Sequence, residues 1–307
     1  MNVSTIGASR AAILVVALTR FAAVLAGAQQ QPNDVQVKTT RISNNFYTLE
    51  GNGGMVGVLT GPDGALMVDT QFAPMSEKLV AAIKQISDGR IRFVINTHVH
   101  GDHTGGNENM ARAGATIFAR ENLRARLMKP NPGANGAPGV PAPSMALPVV
   151  TYDAPVTIHM NGEDVHLIPV PVAHTDGDTM VHFPSADVIM MGDFYRSAGY
   201  PNIDLANGGS LRGLLDGLSA AINVAGPGTK IIPGHGATVD KTAVAAHRAM
   251  IMAIRDKVAA LVKQGKTLEE VVAAKLTSDY DAKVTGATPM TADRFIGQLY
   301  AEAKAGR

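Results

Sequence analysis

The spacing of hydrophobic positions changes period several times along the chain, and those changes outline its elements. Val35 to Leu49 alternates loosely between apolar and polar residues, the period-two pattern of half-buried strands. Gly51-Asn-Gly-Gly54 marks a turn. Met55 to Leu59 and Ala65 to Val68 read as strands joined by Gly61-Pro-Asp-Gly64, a hairpin signal. Ser76 to Ile86 carries Leu79, Ile83 and Ile86 at helical spacing, and Ile91 to Ile95 is a short apolar run of buried-strand type. A helix is expected from near Asp102 to about Ala113, a strand over Thr116 to Ala119 and a short helix over Glu121 to Leu127. Strands resume at Val156 to Met160, Val165 to Val170, Met180 to Phe183, Val188 to Met191 and Lys230 to Ile232. Helices are expected over Leu211 to Val224, Thr242 to Lys263, Leu268 to Leu276 and Ala292 to Ala303. Two stretches of strands, each closed by helices, predict an α/β chain with two packed sheets and helices outside them.

Two segments depart from this pattern. Residues 1–28 read as a secretory leader. Arg10 precedes the apolar run Ala11 to Leu18, and Ala26-Gly27-Ala28 fits the small-residue cleavage rule. The run is shorter than the ~20 residues a membrane span needs, and Arg20 interrupts it. A periplasmic or secreted protein is therefore expected, with residues 29–307 as one domain and no stable membrane insertion after cleavage. Lys129 to Pro148 carries six prolines and is expected to be free of regular structure. So long a loop is a candidate wall of a substrate cleft, as is the turn at Asn52.

Composition narrows the chemistry. The 307 residues carry 27 Lys plus Arg against 26 Asp plus Glu, without the basic excess of a nucleic-acid binder. There is no cysteine, which excludes disulfides, thiolate metal sites and a cysteine nucleophile. Any metal must therefore sit on imidazole, carboxylate or backbone oxygen.

The segment Asn96-Thr-His98-Val-His100-Gly-Asp102-His103 meets that requirement. It follows a buried strand and precedes a helix. In an extended chain His98 and His100 point the same way and can share one ion. Gly101 permits the turn that throws Asp102 and His103 forward. His174, Asp193 and His235 each follow a strand, in loops rich in small residues. Imidazole with carboxylate suits zinc. His159, His166, His182 and His247 lie in strand or helix patterns without such partners and read as structural or surface residues. Asp176 and Asp178 read as loop caps, and Glu108 as a solvated helix residue.

The order His98-x-His100-x-Asp102-His103, then His174, Asp193 and His235, resembles the signature of the metallo-β-lactamase-fold hydrolase superfamily. The resemblance covers about residues 40–240 and extends to Asp69 in Met67-Val-Asp69. It implies a four-layer αββα sandwich, with the helices from about 242 either capping it or forming a dimer face. It implies His98, His100 and His174 on a first zinc, Asp102, His103 and His235 on a second, and Asp193 bridging both. Asp69 would stand behind the ligands and fix the metal loop. A hydroxide held between two Zn2+ ions would attack the carbonyl carbon of a small-molecule substrate, with Asp102 helping to orient it. Tyr195 and Arg196 are candidate substrate contacts, Arg196 towards a carboxylate.

Within the superfamily, His100 stands where the diiron oxidoreductases carry Glu. Single-iron thiol dioxygenases share much of the ligand set. Asp193 stands where the β-lactamases usually carry Cys or Ser, and is more like the bridging Asp of glyoxalase II and lactonases. A leader favours β-lactam-like cyclic amides, which act outside the cytosol. The expectation is therefore a β-lactamase-like dinuclear zinc hydrolase. The alternatives are a lactone or thioester hydrolase, or a metal-binding accessory protein without turnover.

Overall fold

The computed structural model describes Met1, residues 35–130 and residues 139–306. The leader-like segment and the centre of the proline-rich loop lie outside the described residues. In chain order the elements are β1 (Lys38–Arg41), β2 (Phe46–Glu50), β3 (Val56–Leu59), β4 (Ala65–Val68), α1 (Ser76–Ile86), β5 (Ile91–Ile95), α2 (Gly101–Thr104) and α3 (Asn107–Arg112). Then come β6 (Thr116–Arg120), α4 (Glu121–Leu127), β7 (Val150–Tyr152), β8 (Val156–Met160), β9 (Glu163–Pro169), β10 (Thr179–Phe183) and β11 (Val188–Met190). The chain closes with α5 (Leu211–Val224), β12 (Lys230–Ile232), α6 (Lys241–Lys263), α7 (Leu268–Ala273), α8 (Ser278–Asp281) and α9 (Pro289–Lys304).

Strands β1 to β7 form one sheet in sequence order, and the second sheet runs β12-β11-β10-β9-β8. The period-two pattern decides which side chains go where. In β4, Leu66 and Val68 meet Val165, Val181, Phe183 and Met190 of the second sheet. The alternate residues Ala65 and Met67 turn outward onto Leu79 and Ile83 of α1 and Met110 of α3. Phe46 and Phe183 touch across the sheets, with ring centroids 4.6 Å apart. On the far side, Ile189 and Ile231 pack against α5, α6 and α9. The result is the expected order of layers: helices, sheet, sheet, helices. The helices after Lys241 cap the second sheet. Among the described residues, no helix is long and apolar enough to cross a membrane.

The differences from expectation have local causes. The helix expected from Asp102 to Ala113 is two short helices, α2 and α3, interrupted at Gly105-Gly106. There the chain leans onto the loop after β4, and Gly106 N–H donates to Gln71 O (3.0 Å). A Cβ on Gly106 would sit 2.5 Å from Thr70 O, so only glycine allows the approach. The helix expected to reach Leu276 ends at Ala273, and Lys275 turns into the left-handed region. Within the proline-rich stretch, Ser144–Ala146 forms a 3-10 turn. β7 is three residues long and follows Pro148, too short to show a period.

Candidate metal centre

All seven candidate ligands lie at one edge of the sandwich, Asp102 and His103 in the short helix α2 and the others in the connections after strands, and they arrive from both sheets. His98, His100, Asp102 and His103 follow β5 of the first sheet. His174 lies between β9 and β10, Asp193 follows β11 and His235 follows β12, all in the second. His98, His100, His174 and Asp193 form one group able to hold an ion, and Asp102, His103 and His235 form another.

In the first group, His100 Nδ1 lies 3.2 Å from His98 Nε2 and 3.0 Å from His174 Nε2. Nitrogens around a tetrahedral zinc at its usual bond length stand about 3.3 Å apart. In the second group, His235 Nε2 lies 3.0 Å from Asp102 Oδ2 and 3.5 Å from His103 Nε2. Asp193 faces both. Its Oδ1 is 3.3 Å from His103 Nε2 and from His235 Nε2, while Oδ2 is 3.9 Å from His174 Nε2.

The outer ring nitrogens fix which lone pairs face inward. His174 Nδ1 donates to Asn202 O (2.7 Å), His100 Nε2 to Asp204 Oδ2 (2.7 Å) and His103 Nδ1 to Asp69 Oδ2 (2.7 Å). Each bond spends the ring's proton on the outside and leaves an acceptor pointing into the cluster. Asp193 Oδ1 is buried without a hydrogen-bond partner. It faces the ring nitrogens of His103 and His235, so either a proton on one of them or a cation between them satisfies it.

Electrostatics agrees. Burial, then His103 and His174, holds His98 well below the ordinary imidazole value, and burial brings His174 down to about 4. Both are neutral and available as ligands. Burial opposes a proton on His103, but Asp69 and Asp193 outweigh it and raise its pKa well above normal. Burial alone would raise Asp193; His103 and His235 hold it well below the usual carboxylate range. Anionic oxygens thus surround a position that attracts positive charge.

Asp69 lies behind His103 and bonds to the loop that follows β5. It is buried, and adopts φ 65° although it is not glycine. Its Oδ1 accepts from Thr97 N (2.7 Å) and its Oδ2 from Thr97 Oγ1 (2.7 Å) as well as from His103. Backbone strain of this kind persists only where the surroundings enforce it. Glycines let the loops close over the ligands. A Cβ on Gly54 would fall 2.1 Å from His103 Cε1, and one on Gly234 would fall 2.0 Å from Asp193 Oδ1. The turn at Asn52 therefore abuts the centre, and Gly54 N–H donates to Asp102 O (3.0 Å).

The two candidate substrate contacts part company. Tyr195 packs edge-on against His247 of α6 (5.0 Å) within the helical core. Burial pushes its phenol up to about 12, so it is placed as a packing residue and not beside the ligands. Arg196 turns inward, with Nη1 3.4 Å from Asp193 Oδ2, and its buried Nε has no partner. Asp176 is no loop cap: Arg126 grips it with two hydrogen bonds of 2.6 and 2.7 Å. Asp178 does cap its turn, accepting from Thr175 N and Oγ1, and burial raises its carboxyl to about 7. Glu108 pairs with Arg112 one helical turn on. His159, His166, His182 and His247 stand outside the ligand groups. Asn202 and Asp204 carried no signal in the sequence, because each acts on an imidazole far along the chain.

A buried imidazole–carboxylate cluster at the edge of an αββα sandwich defines the fold and site of metal-dependent hydrolases. The pattern of the Metallo-beta-lactamase superfamily matches residues 49–244, and the chain belongs to that superfamily. Among solved structures it is similar to the stereoselective inverting sec-alkylsulfatase Pisa1 from Pseudomonas sp., with 18% identity and TM-score 0.66 over 86% of this chain. The chain spans 50% of that alkylsulfatase's length. It is similar also to a metallo-beta-lactamase from Pontibacter korlensis (19% identity, TM-score 0.56, 70% of this chain and 98% of that one). A third is the DIM-1 metallo-beta-lactamase (18% identity, TM-score 0.57, 70% of this chain and 97% of that one).

Proposed function

We propose that the protein is a dinuclear zinc hydrolase, exported through its leader-like segment, that cleaves a carbonyl bond in a small anionic molecule, with a β-lactam-like cyclic amide as the first candidate. The observation that carries this reading is Asp193, whose two carboxylate oxygens serve two separate ligand groups. When bound, two zinc ions supply a water activated near neutral pH and Lewis acidity towards the carbonyl oxygen.

The protein's own groups do the rest. Asp69, Asp204 and Asn202 O keep the ring protons of three histidines outside the cluster. Asp102 is partly exposed, and His235 and His103 hold its pKa down against burial. It is ionised at neutral pH and orients the attacking water by accepting its hydrogen. Arg196 and Arg294 supply positive charge beside Asp193. Burial lowers the pKa of Arg294, Arg196 lowers it further and Asp193 opposes both. Each of these arginines has a buried Nε without a partner. Two such guanidiniums favour a substrate with a carboxylate or similar oxyanion.

Asp193 also supports a second reading, lactone or thioester hydrolysis, because a carboxylate stands where the β-lactamases usually carry Cys or Ser. Metal analysis combined with a panel of nitrocefin, a lactone, a thioester and a secondary alkyl sulfate separates the cases. Two zincs with nitrocefin turnover that His98→Ala abolishes supports the first reading. Lactone or thioester turnover alone supports the second. Bound metal without turnover points to an accessory protein, and iron in protein from its native host points to oxidative chemistry.

A further inference from the structure

The loop from Asn202 to Gly209 touches two of the three first-site histidines. Asn202 O accepts from His174 Nδ1, Asp204 N donates to His174 O (2.9 Å), and Asp204 Oδ2 accepts from His100 Nε2. This loop is itself gripped from two sides. From α9, Gln298 Nε2 donates to Asn202 Oδ1 (2.8 Å) while its Oε1 accepts from Ile203 N (3.0 Å). From α4, Arg126 Nη1 donates to Asn207 Oδ1 (3.0 Å), and Asn207 Nδ2 donates to Asp204 Oδ2 (2.7 Å). The other edge of the Arg126 fork is held by both oxygens of Asp176. Asp204 Oδ2 accepts from both His100 and Asn207, so the orientation of each group in this relay constrains the next.

We propose that Gln298 and Arg126 are positioning residues of the first metal site, which set its affinity through the 202–209 loop without touching an ion. The C-terminal helix α9 lies beyond the matched region 49–244 and is thereby part of the metal centre. The reason is geometric. A histidine ligand must present its lone pair in a fixed direction, and the partner of its other nitrogen sets that direction. Loss of such a partner costs about 10–100-fold in metal affinity. Gln298 acts one bond further out, through Asn202, and Arg126 two, through Asn207 and Asp204, so each sets roughly three- to tenfold, at or below the lower end of that scale. Arg126→Lys keeps the charge but not the fork that holds Asp176 and Asn207 together.

This inference rests on the metallohydrolase reading, and its test does not depend on turnover. Demetallated protein is titrated with zinc against a chromophoric chelator, and the cobalt(II) form is followed by its visible spectrum. Gln298→Met removes both amide bonds at similar shape, and Arg126→Lys removes the fork. Each is expected to weaken the first site about three- to tenfold and to shift the cobalt bands. Gln298→Met also strands the buried Ile203 N–H and lowers the metal-free melting temperature, whereas a merely structural role would leave the cobalt bands unmoved. Combining Gln298→Met with Asp204→Ala is expected to add little to Asp204→Ala alone, since both act on the same loop. Zinc affinity within twofold of the unaltered protein in both single variants, with unchanged cobalt spectra, overturns the proposal. So does full additivity with Asp204→Ala. If Gln298→Met fails to fold, Arg126→Lys alone decides by the same criteria. If the unaltered protein binds no zinc, the metallohydrolase reading falls first and this inference with it.

Discussion

Asp69→Asn is the sharpest single test of the ring-proton argument, because it changes one oxygen to an amide and almost nothing in shape. Asp69 accepts three hydrogen bonds, one from Thr97 N at Oδ1 and two at Oδ2 from Thr97 Oγ1 and His103 Nδ1. An asparagine has one acceptor oxygen. If its NH2 takes the Oδ1 position, it meets the Thr97 N–H donor head-on. If it takes the Oδ2 position, it meets His103 Nδ1–H. A donor is then left unsatisfied unless it gives up its proton, in a place where Asp69 and His103 are both buried. An unsatisfied buried donor costs about 1–3 kcal/mol, and that loss belongs to the metal-free protein.

In the second orientation His103 escapes the clash by moving its proton to Nε2, which then points at Asp193 Oδ1 instead of offering a lone pair. Zinc affinity at the second site is expected to fall about 10–100-fold, or roughly 1.4–2.7 kcal/mol. Thermal melting of the demetallated protein checks the first quantity, with a shift of about 2–4 °C per kcal/mol for a fold of this size. Chelator competition checks the second. Unchanged melting together with unchanged second-site affinity would refute the assignment of the His103 proton to Asp69.

Three further outcomes follow from the same geometry. Gly234→Ala places a methyl 2.0 Å from Asp193 Oδ1 and 2.8 Å from Gly192 O, so the bridging carboxylate must move; bound zinc by elemental analysis is expected to drop below one per chain. Burial lowers His247 to about 4, whereas the unfolded chain takes that proton at the ordinary 6.5. Below pH 6.5 the unfolded state therefore binds more protons, and stability is lost as pH falls from 6.5 towards 4. Urea midpoints of the demetallated protein at pH 7 and pH 5 should differ less in His247→Leu. Arg294→Met should raise KM for an anionic substrate about tenfold, the lower end for a charged hydrogen bond, while KM for its neutral methyl ester stays unchanged. Equal effects on acid and ester would exclude Arg294 from anion recognition.

Much of the fold was legible because its signals are local. The Gly61–Gly64 hairpin closes as expected, with Gly64 N–H on Gly61 O (3.0 Å). The period-two faces of β4 divide cleanly between the two cores. The seven candidate ligands that meet at one edge were legible because coordination chemistry restricts residue types, and because short connections after strands keep them in recognisable spacing. The break at Gly105-Gly106 was not, since its cause is a backbone approach from Thr70 and Gln71, far back in the chain. Asp204 and His100 are 104 positions apart, and no periodicity links them. Tyr195 was misplaced for a related reason: adjacency to a ligand says nothing about direction, and its ring follows the helical core instead. Asp176 read as a cap because its partner, Arg126, approaches from α4, 50 positions earlier in the chain.

The seven donors come from loops of both sheets, so neither sheet owns a complete set. Ions seated there would act as a clasp between the two halves of the sandwich. Such a clasp cannot fasten until Phe46 and Phe183 have met and the intervening core has formed. A complete set of donors therefore exists only where the apolar surfaces of the two sheets have closed on each other, so an ion bound there would hold shut a joint that packing had already made.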